Sequence, residues 1–248
     1  MKKRPRAGVT TISRTHTLSQ RITYAVVLLV MLVTTVMGTF PFAPKLPAAD
    51  ARFLETRMVP GQMTTTREAF SANLITTGIH KGKVLIAGGF DGTNYLNSAE
   101  LYNPQDGRFT LLSGGGKSLT TPRAFHKTVA LSDGKILFVG GQNAAGTAVN
   151  TLEVYNPVSQ NFETYYNLPT NPLPTMTETA KNMSVTKYTV GADDFIVIAG
   201  GEDAAGVLRN KVYVYDVTNN VLTEATGTLA TARTEHNAMF YPNAGTQG

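Results

Sequence analysis

No cysteine and no tryptophan occur among the 248 residues. Without Cys there is no disulfide and no thiolate-ligated metal, so sheet pairing and core burial must hold the fold together. A region of nearly 200 residues is large enough to supply them. Acidic residues are missing from positions 1–49, which hold seven of the 22 Lys and Arg, so 15 basic residues face 17 acidic ones in 50–248. The formal charge of +5 is thus a property of the N-terminus. A nucleic-acid-binding domain would carry its basic stripe on the folded part, and none is present.

Charge is absent altogether from Ile22 to Pro44. The core of that run, Tyr24–Met37, comes after six basic residues and is long enough to enter a bilayer. The expected organisation is a basic segment (1–21), a signal sequence or transmembrane anchor with helical conformation (22–44), and a Pro- and Ala-rich linker (45–51). Cleavage after Ala48 or after Gly38 is compatible with the small residues there. With or without it, the basic flank keeps the N-terminus cytoplasmic and places the rest outside, on the cell membrane or secreted.

Beyond the linker the chain is a repeat. An apolar run ends in Gly-Gly, a Tyr comes 13 or 14 residues later, and a bulky apolar residue seven after that. Gly88, Gly89, Tyr102 and Phe109 form one copy; Gly140, Gly141, Tyr155 and Phe162 the second; Gly200, Gly201, Tyr215 and Leu222 the third. The Gly-Gly pairs recur at intervals of 52 and 60 residues, the period of propeller blades rather than helical solenoids. Short branched runs stopped by Gly-Gly, at Val84–Ala87, Ile136–Val139 and Phe195–Ala199, are expected as buried strands. The Tyr-bearing runs lead into turn sequences such as Asn103–Gly107 and are expected to form hairpins with the next strands.

These residues resemble the kelch repeat, whose four-stranded antiparallel blade has Gly-Gly closing the second strand, Tyr in the third and usually Trp in the fourth. An Arg typically precedes the innermost strand, and Arg67, Arg123 and Arg233 stand in that place, whereas the third repeat has none. Phe109, Phe162 and Leu222 fill the Trp slot, and Asn97, Asn150 and Asn210 each lie before the Tyr. The resemblance covers about Arg52 to Tyr241 and implies an all-β, kelch-type β-propeller over 52–248. Its complete blades fall near 67–114, 123–166 and 183–226, and a fourth starts at 233. Residues 52–57 read as an outermost strand without a blade, and Asn237–Tyr241 as an innermost strand. Since a ring closes with about four to eight blades, three blades with partial strands at both ends imply a partial chain, exposed edges and an open apolar face.

For chemistry, the sequence offers loops rather than a catalytic constellation. A phosphate cradle would need the Gly-Gly pairs to open helices, and here they open loops, so positive φ or close approach between blades explains them. The resemblance brings the loops after Gly-Gly and those entering the innermost strands to one face. There Asp91, Tyr95, Gln142, Asn143, Glu202, Asp203 and Arg209 are candidate binding residues, together with Arg123, His126, Arg233 and His236. His126 and His236 hold equivalent places, but two ligands do not make a metal site. Glu100 and Glu153, two before each Tyr, are expected to be structural. An insertion of about seven residues lies in Tyr165–Asn182 relative to the preceding repeat. The implied function is a protein- or glycan-binding module with no catalytic residues, metal or cofactor. The alternative, part of a galactose-oxidase-like oxidase, requires a Tyr–Cys cross-link that this chain cannot make.

Overall fold

A computed structural model describes residues 61–167 and 170–240. The apolar run at 22–44, the linker at 45–51 and the strand expected at 52–57 lie outside the described residues.

Among the described residues twelve strands form three four-stranded antiparallel sheets in chain order. The first sheet contains β1 (Ser71–Leu74), β2 (Val84–Ala87), β3 (Ala99–Asn103) and β4 (Arg108–Leu111). The second contains β5 (Lys127–Ala130), β6 (Ile136–Val139), β7 (Leu152–Asn156) and β8 (Asn161–Glu163). The third contains β9 (Ser184–Val190), β10 (Asp193–Ala199), β11 (Val212–Asp216) and β12 (Val221–Glu224). β2 and β6 have the bounds read from the sequence, while β10 begins two residues before Phe195 because Asp193 and Asp194 extend its ladder with β9.

The repeat's aromatic positions are cross-strand partners. Tyr102 pairs with Phe109, Tyr155 with Phe162 and Tyr215 with Leu222. Such directly opposed pairs contribute about 0.2–1 kcal/mol each. They also build the layers between sheets. Ile136, Phe138, Tyr155 and Phe162 of the second sheet pack with Leu85, Ala87 and Leu101 of the first. From the other face of the second sheet, Leu137, Val139, Leu152 and Val154 pack with Ile196, Ile198, Tyr213 and Tyr215 of the third. β6 is therefore buried on both faces, which is why it reads as a continuous apolar run.

Both expected roles of the glycines are realised: positive φ by both members of each pair, close approach between blades by the first. All six have positive φ, from 59° to 108°. A Cβ at Gly140 would stand 2.5 Å from the carbonyl oxygen of Ala180, which enters the next sheet. At Gly141 it would instead stand 2.6 Å from the carbonyl of Ala124, which enters its own sheet. The first glycine admits the neighbouring blade, and the second admits the strand entry of its own.

At the C-terminal end the sequence reading needs correction. Arg233–Phe240 forms no strand, because no second backbone runs alongside it among the described residues. It docks on the third sheet instead, through Gly201 N–H to Arg233 O (2.8 Å) and Thr186 Oγ1 to Ala238 O (2.8 Å). Within the insertion in Tyr165–Asn182, Tyr165 stands opposite Pro172, and Thr175 bridges to Thr151 of the second blade.

Candidate functional site: the blade joints and their loops

Each sheet is joined to the next segment of the chain by the same four backbone hydrogen bonds. At the first joint these run from Leu119 N to Asn97 O, Arg123 N to Leu96 O, Gly89 N to Arg123 O, and Phe125 N to Ala69 O. The second joint has Met176 N to Asn150 O, Ala180 N to Val149 O, Gly141 N to Ala180 O and Asn182 N to Phe125 O. The third has Leu229 N to Asn210 O, Arg233 N to Arg209 O, Gly201 N to Arg233 O and Glu235 N to Asn182 O. The last bond of each set links into one chain, Ala69, Phe125, Asn182, Glu235, passing from blade to blade. All four residues have φ between 51° and 57°, a left-handed backbone that costs a non-glycine residue about 1–3 kcal/mol. The surrounding bonds hold them there.

Arg123 is one of the sequence candidates, and it is fully buried. Its guanidinium donates to Gly140 O and Thr151 O at 3.0 Å each, to Thr151 Oγ1 at 2.9 Å, and to Glu153 at 2.5 Å. The Glu153 carboxylate also accepts the N–H groups of Thr120 and Thr121. Arg67 and Glu100 repeat this arrangement in the first blade at 2.7 Å. Such an ion pair positions the strand entry. Burial pulls the Arg123 guanidinium below its usual range, and the Glu153 charge opposes that shift.

His126 is buried as well. Its Nε2 lies 3.0 Å from Ser71 Oγ, across the joint between the first two blades. Burial, aided by the Arg123 charge, pushes its pKa down to about 3, so the ring is neutral. His236 repeats the contact with Ser184 Oγ at 3.0 Å at the third joint. Burial and Arg233 lower its pKa too. Phe70 and Met183 occupy the corresponding place in the other two blades. Among the described residues no three His, Cys, Asp or Glu side chains converge as metal ligands would.

In the loops, several candidates shape the backbone. The Asp91 carboxylate accepts the N–H groups of Thr93 (2.8 Å) and Asn94 (2.6 Å), and these bonds hold its pKa low. Asn143 caps Ala145 and Thr147, and Asp203 caps Ala205 and Val207, in the same way. Arg209 is tied to Asp203 at 2.7 Å. Arg233 is exposed and donates to Thr231 O.

Gln142, Glu202 and Tyr95 belong to surfaces that are less committed. Lys181 Nζ donates to Gln142 Oε1 at 3.0 Å, lies 3.7 Å from Glu202 Oε1 and stands 5.5 Å from the Phe125 ring centre. Asn182 Nδ2 reaches Glu202 Oε1 at 3.3 Å. These five residues form one half-buried polar and aromatic cluster where the second and third blades meet. In the first blade Tyr95 packs on Phe90, ring centres 5.1 Å apart, beside a shallow cavity of 280 Å³ lined by Arg67, Glu68, Phe90 and Asp91. Phe125, Lys181 and Asn182 were not singled out in the sequence. Their signal was available, because they lie one or two residues after the repeat's Arg position.

Residues 74–115 and 123–168 match the family model for the kelch motif. The chain carries kelch repeats. Among solved structures it is similar to YjhT, a kelch-repeat β-propeller protein, with a TM-score of 0.53 at 15% identity. That likeness covers 67% of this chain and 54% of the other, so the array spans about half of YjhT's length. At such identity the likeness speaks to fold alone. No curated protein matches this chain. The third kelch-like blade falls outside the matched stretches, and it is the one in which Ala180 and Tyr213 replace the buried Arg and Glu.

Proposed function

We propose that this protein is a binding module that takes a protein or glycan ligand on the loop face of its kelch blades. The observation that carries this reading is the cluster of Phe125, Gln142, Lys181, Asn182 and Glu202. It gathers an aromatic face, two amides and a compensated ion pair from two blades, on backbone fixed by joints on both sides. Side chains of this mixture, held by a rigid scaffold, suit a ligand that offers both apolar faces and hydrogen-bonding groups.

The second part of the proposal is placement. The uncharged run at 22–44 behind six basic residues supports an exported module, tethered through that run or released by cleavage. Protease added to intact cells is expected to digest the repeats, and protection equal to that of a cytosolic marker would refute export.

Binding is tested with the purified protein on a glycan array and against a displayed peptide library. A ligand is expected whose affinity falls at least about tenfold in both Phe125→Ala and Lys181→Ala, with unfolding midpoints unchanged. A ligand bound equally well by both variants would refute this site, and the absence of any ligand in either format would refute the module reading.

A further inference from the structure

In the second blade a cavity of about 350 Å³ opens beside the start of β7, between the segment entering the innermost strand and the insertion. Thr120, Thr121, Thr151, Thr164 and Thr175 line it. Thr164 and Thr175 are exposed, so the cavity is open to solvent.

The repeat allows the same positions to be compared in the third blade, where Lys211 stands for Thr151, Glu224 for Thr164 and Glu178 for Thr121. Lys211 Nζ lies 2.9 Å from the Glu224 carboxylate and 3.3 Å from that of Glu178, and Thr177 Oγ1 donates to Glu224 at 2.6 Å. Long charged side chains meet across that blade, where the second blade has short hydroxyl-bearing ones. The insertion, which the preceding repeat lacks, supplies a further wall through Pro172, Leu173 and Thr175. Its backbone is held in place. Leu173 N–H donates to Thr164 O at 2.9 Å, and Met176 N–H to Asn150 O at 3.0 Å.

The lining selects the chemistry of a ligand. Glu153 reaches the cavity, but its oxygens accept the N–H groups of Thr120 and Thr121 and the Arg123 guanidinium, so its charge is already compensated. Threonine hydroxyls donate and accept, as the hydroxyls of a polyol do. Thr151 Oγ1 accepts from Arg123 at 2.9 Å, which leaves its proton to donate. Leu152, Pro172 and Leu173 offer apolar surface to C–H groups. The volume lies at the lower end of the range of about 300–1,000 Å³ typical of small-molecule sites.

We propose that this cavity binds a small uncharged polyhydroxylated molecule, one sugar ring or a cyclic polyol in size. The site shares no residue with the cluster of Phe125 and Lys181 and does not rest on that reading.

The test titrates the full chain, in a detergent without a sugar headgroup, with methyl glucoside, methyl galactoside, methyl mannoside and inositol, followed by NMR of methyl and amide groups. At least one of the four is expected to shift Thr151, Leu152, Thr164 and Leu173 saturably. Thr164→Val and Thr175→Val each remove one hydroxyl at nearly constant volume, and each is expected to weaken binding about three- to tenfold with the unfolding midpoint unchanged. Glucuronate and glucosamine should bind no more tightly than glucose. No saturable shift at the cavity, unaltered affinity in either valine variant, or a preference for a charged form would each overturn the proposal. Shifts confined to Phe125 and Lys181 would overturn it as well, while supporting the loop site.

Discussion

The guanidinium of Arg123 and the carboxylate of Glu153 meet 2.5 Å apart, with side chains 0% and 1% exposed. In the third blade both are gone together. Ala180 and Tyr213 stand in their places, and the Tyr213 hydroxyl bonds Thr177 Oγ1 at 2.9 Å, where Thr120 donates its N–H to Glu153 in the second blade. A lone buried charge is far more costly than either a complete pair or none.

Removing one partner should therefore cost more than replacing both. Arg123→Ala is expected to lower stability by about 3–5 kcal/mol, since Glu153 is left buried and uncompensated. Arg123→Ala combined with Glu153→Tyr, the third blade's own solution, should restore most of that loss. Chemical denaturation of the two variants checks this, and equal losses would count against the coupling.

The glycines differ in what a methyl group would meet. Gly140→Ala places a Cβ 2.5 Å from Ala180 O in the next blade, whereas at Gly206 nothing lies within 4 Å. Both have positive φ, so Gly206→Ala is expected to cost only the left-handed strain of about 1–2 kcal/mol. Gly140→Ala should cost clearly more. Similar unfolding midpoints for the two would remove close approach between blades from the explanation of the Gly-Gly pair.

Acid should weaken the first joint through His126. Burial holds its folded pKa at about 3, below the unfolded value of 6.5, so the folded state binds fewer protons between those limits. The stability due to the neutral ring is fully present above pH 6.5 and is lost as pH falls toward 3. His126→Met, the residue found at the second joint as Met183, should flatten the stability profile between pH 6.5 and about 4. A profile as steep as that of the parent chain would assign the acid sensitivity elsewhere.

The three sheets were legible in the sequence because each repeats one pattern whose physics is local. Gly-Gly stops a buried strand, and Tyr opposes a large apolar residue across a turn. What stayed hidden depends on two blades at once. Phe125 and Asn182 look ordinary until the backbone bond between them brings both to the joint between the second and third blades. Arg123 and His126, read as candidate ligand contacts, prove to be buried within a blade and across a joint. Asp91, Asn143 and Asp203, candidate binding residues of the loops, have side chains that cap their own turns, a contact that only the folded loop shows. Arg233–Phe240 continues the repeat in sequence, but among the described residues no second backbone pairs with it as a strand.

The most direct test of the joints that hold the loop face is amide hydrogen exchange read by NMR. The N–H groups of Phe125 and Asn182 bond to the preceding blade at 2.9 and 3.1 Å, although neither residue belongs to a strand. They are expected to exchange as slowly as those of Leu137 and Ile196 in the central strands, and far more slowly than exposed loop amides such as Ala205. Exchange of Phe125 and Asn182 at the rate of Ala205 would show that the chain of hydrogen bonds from blade to blade does not persist in solution, and the fixed backbone under the candidate cluster with it.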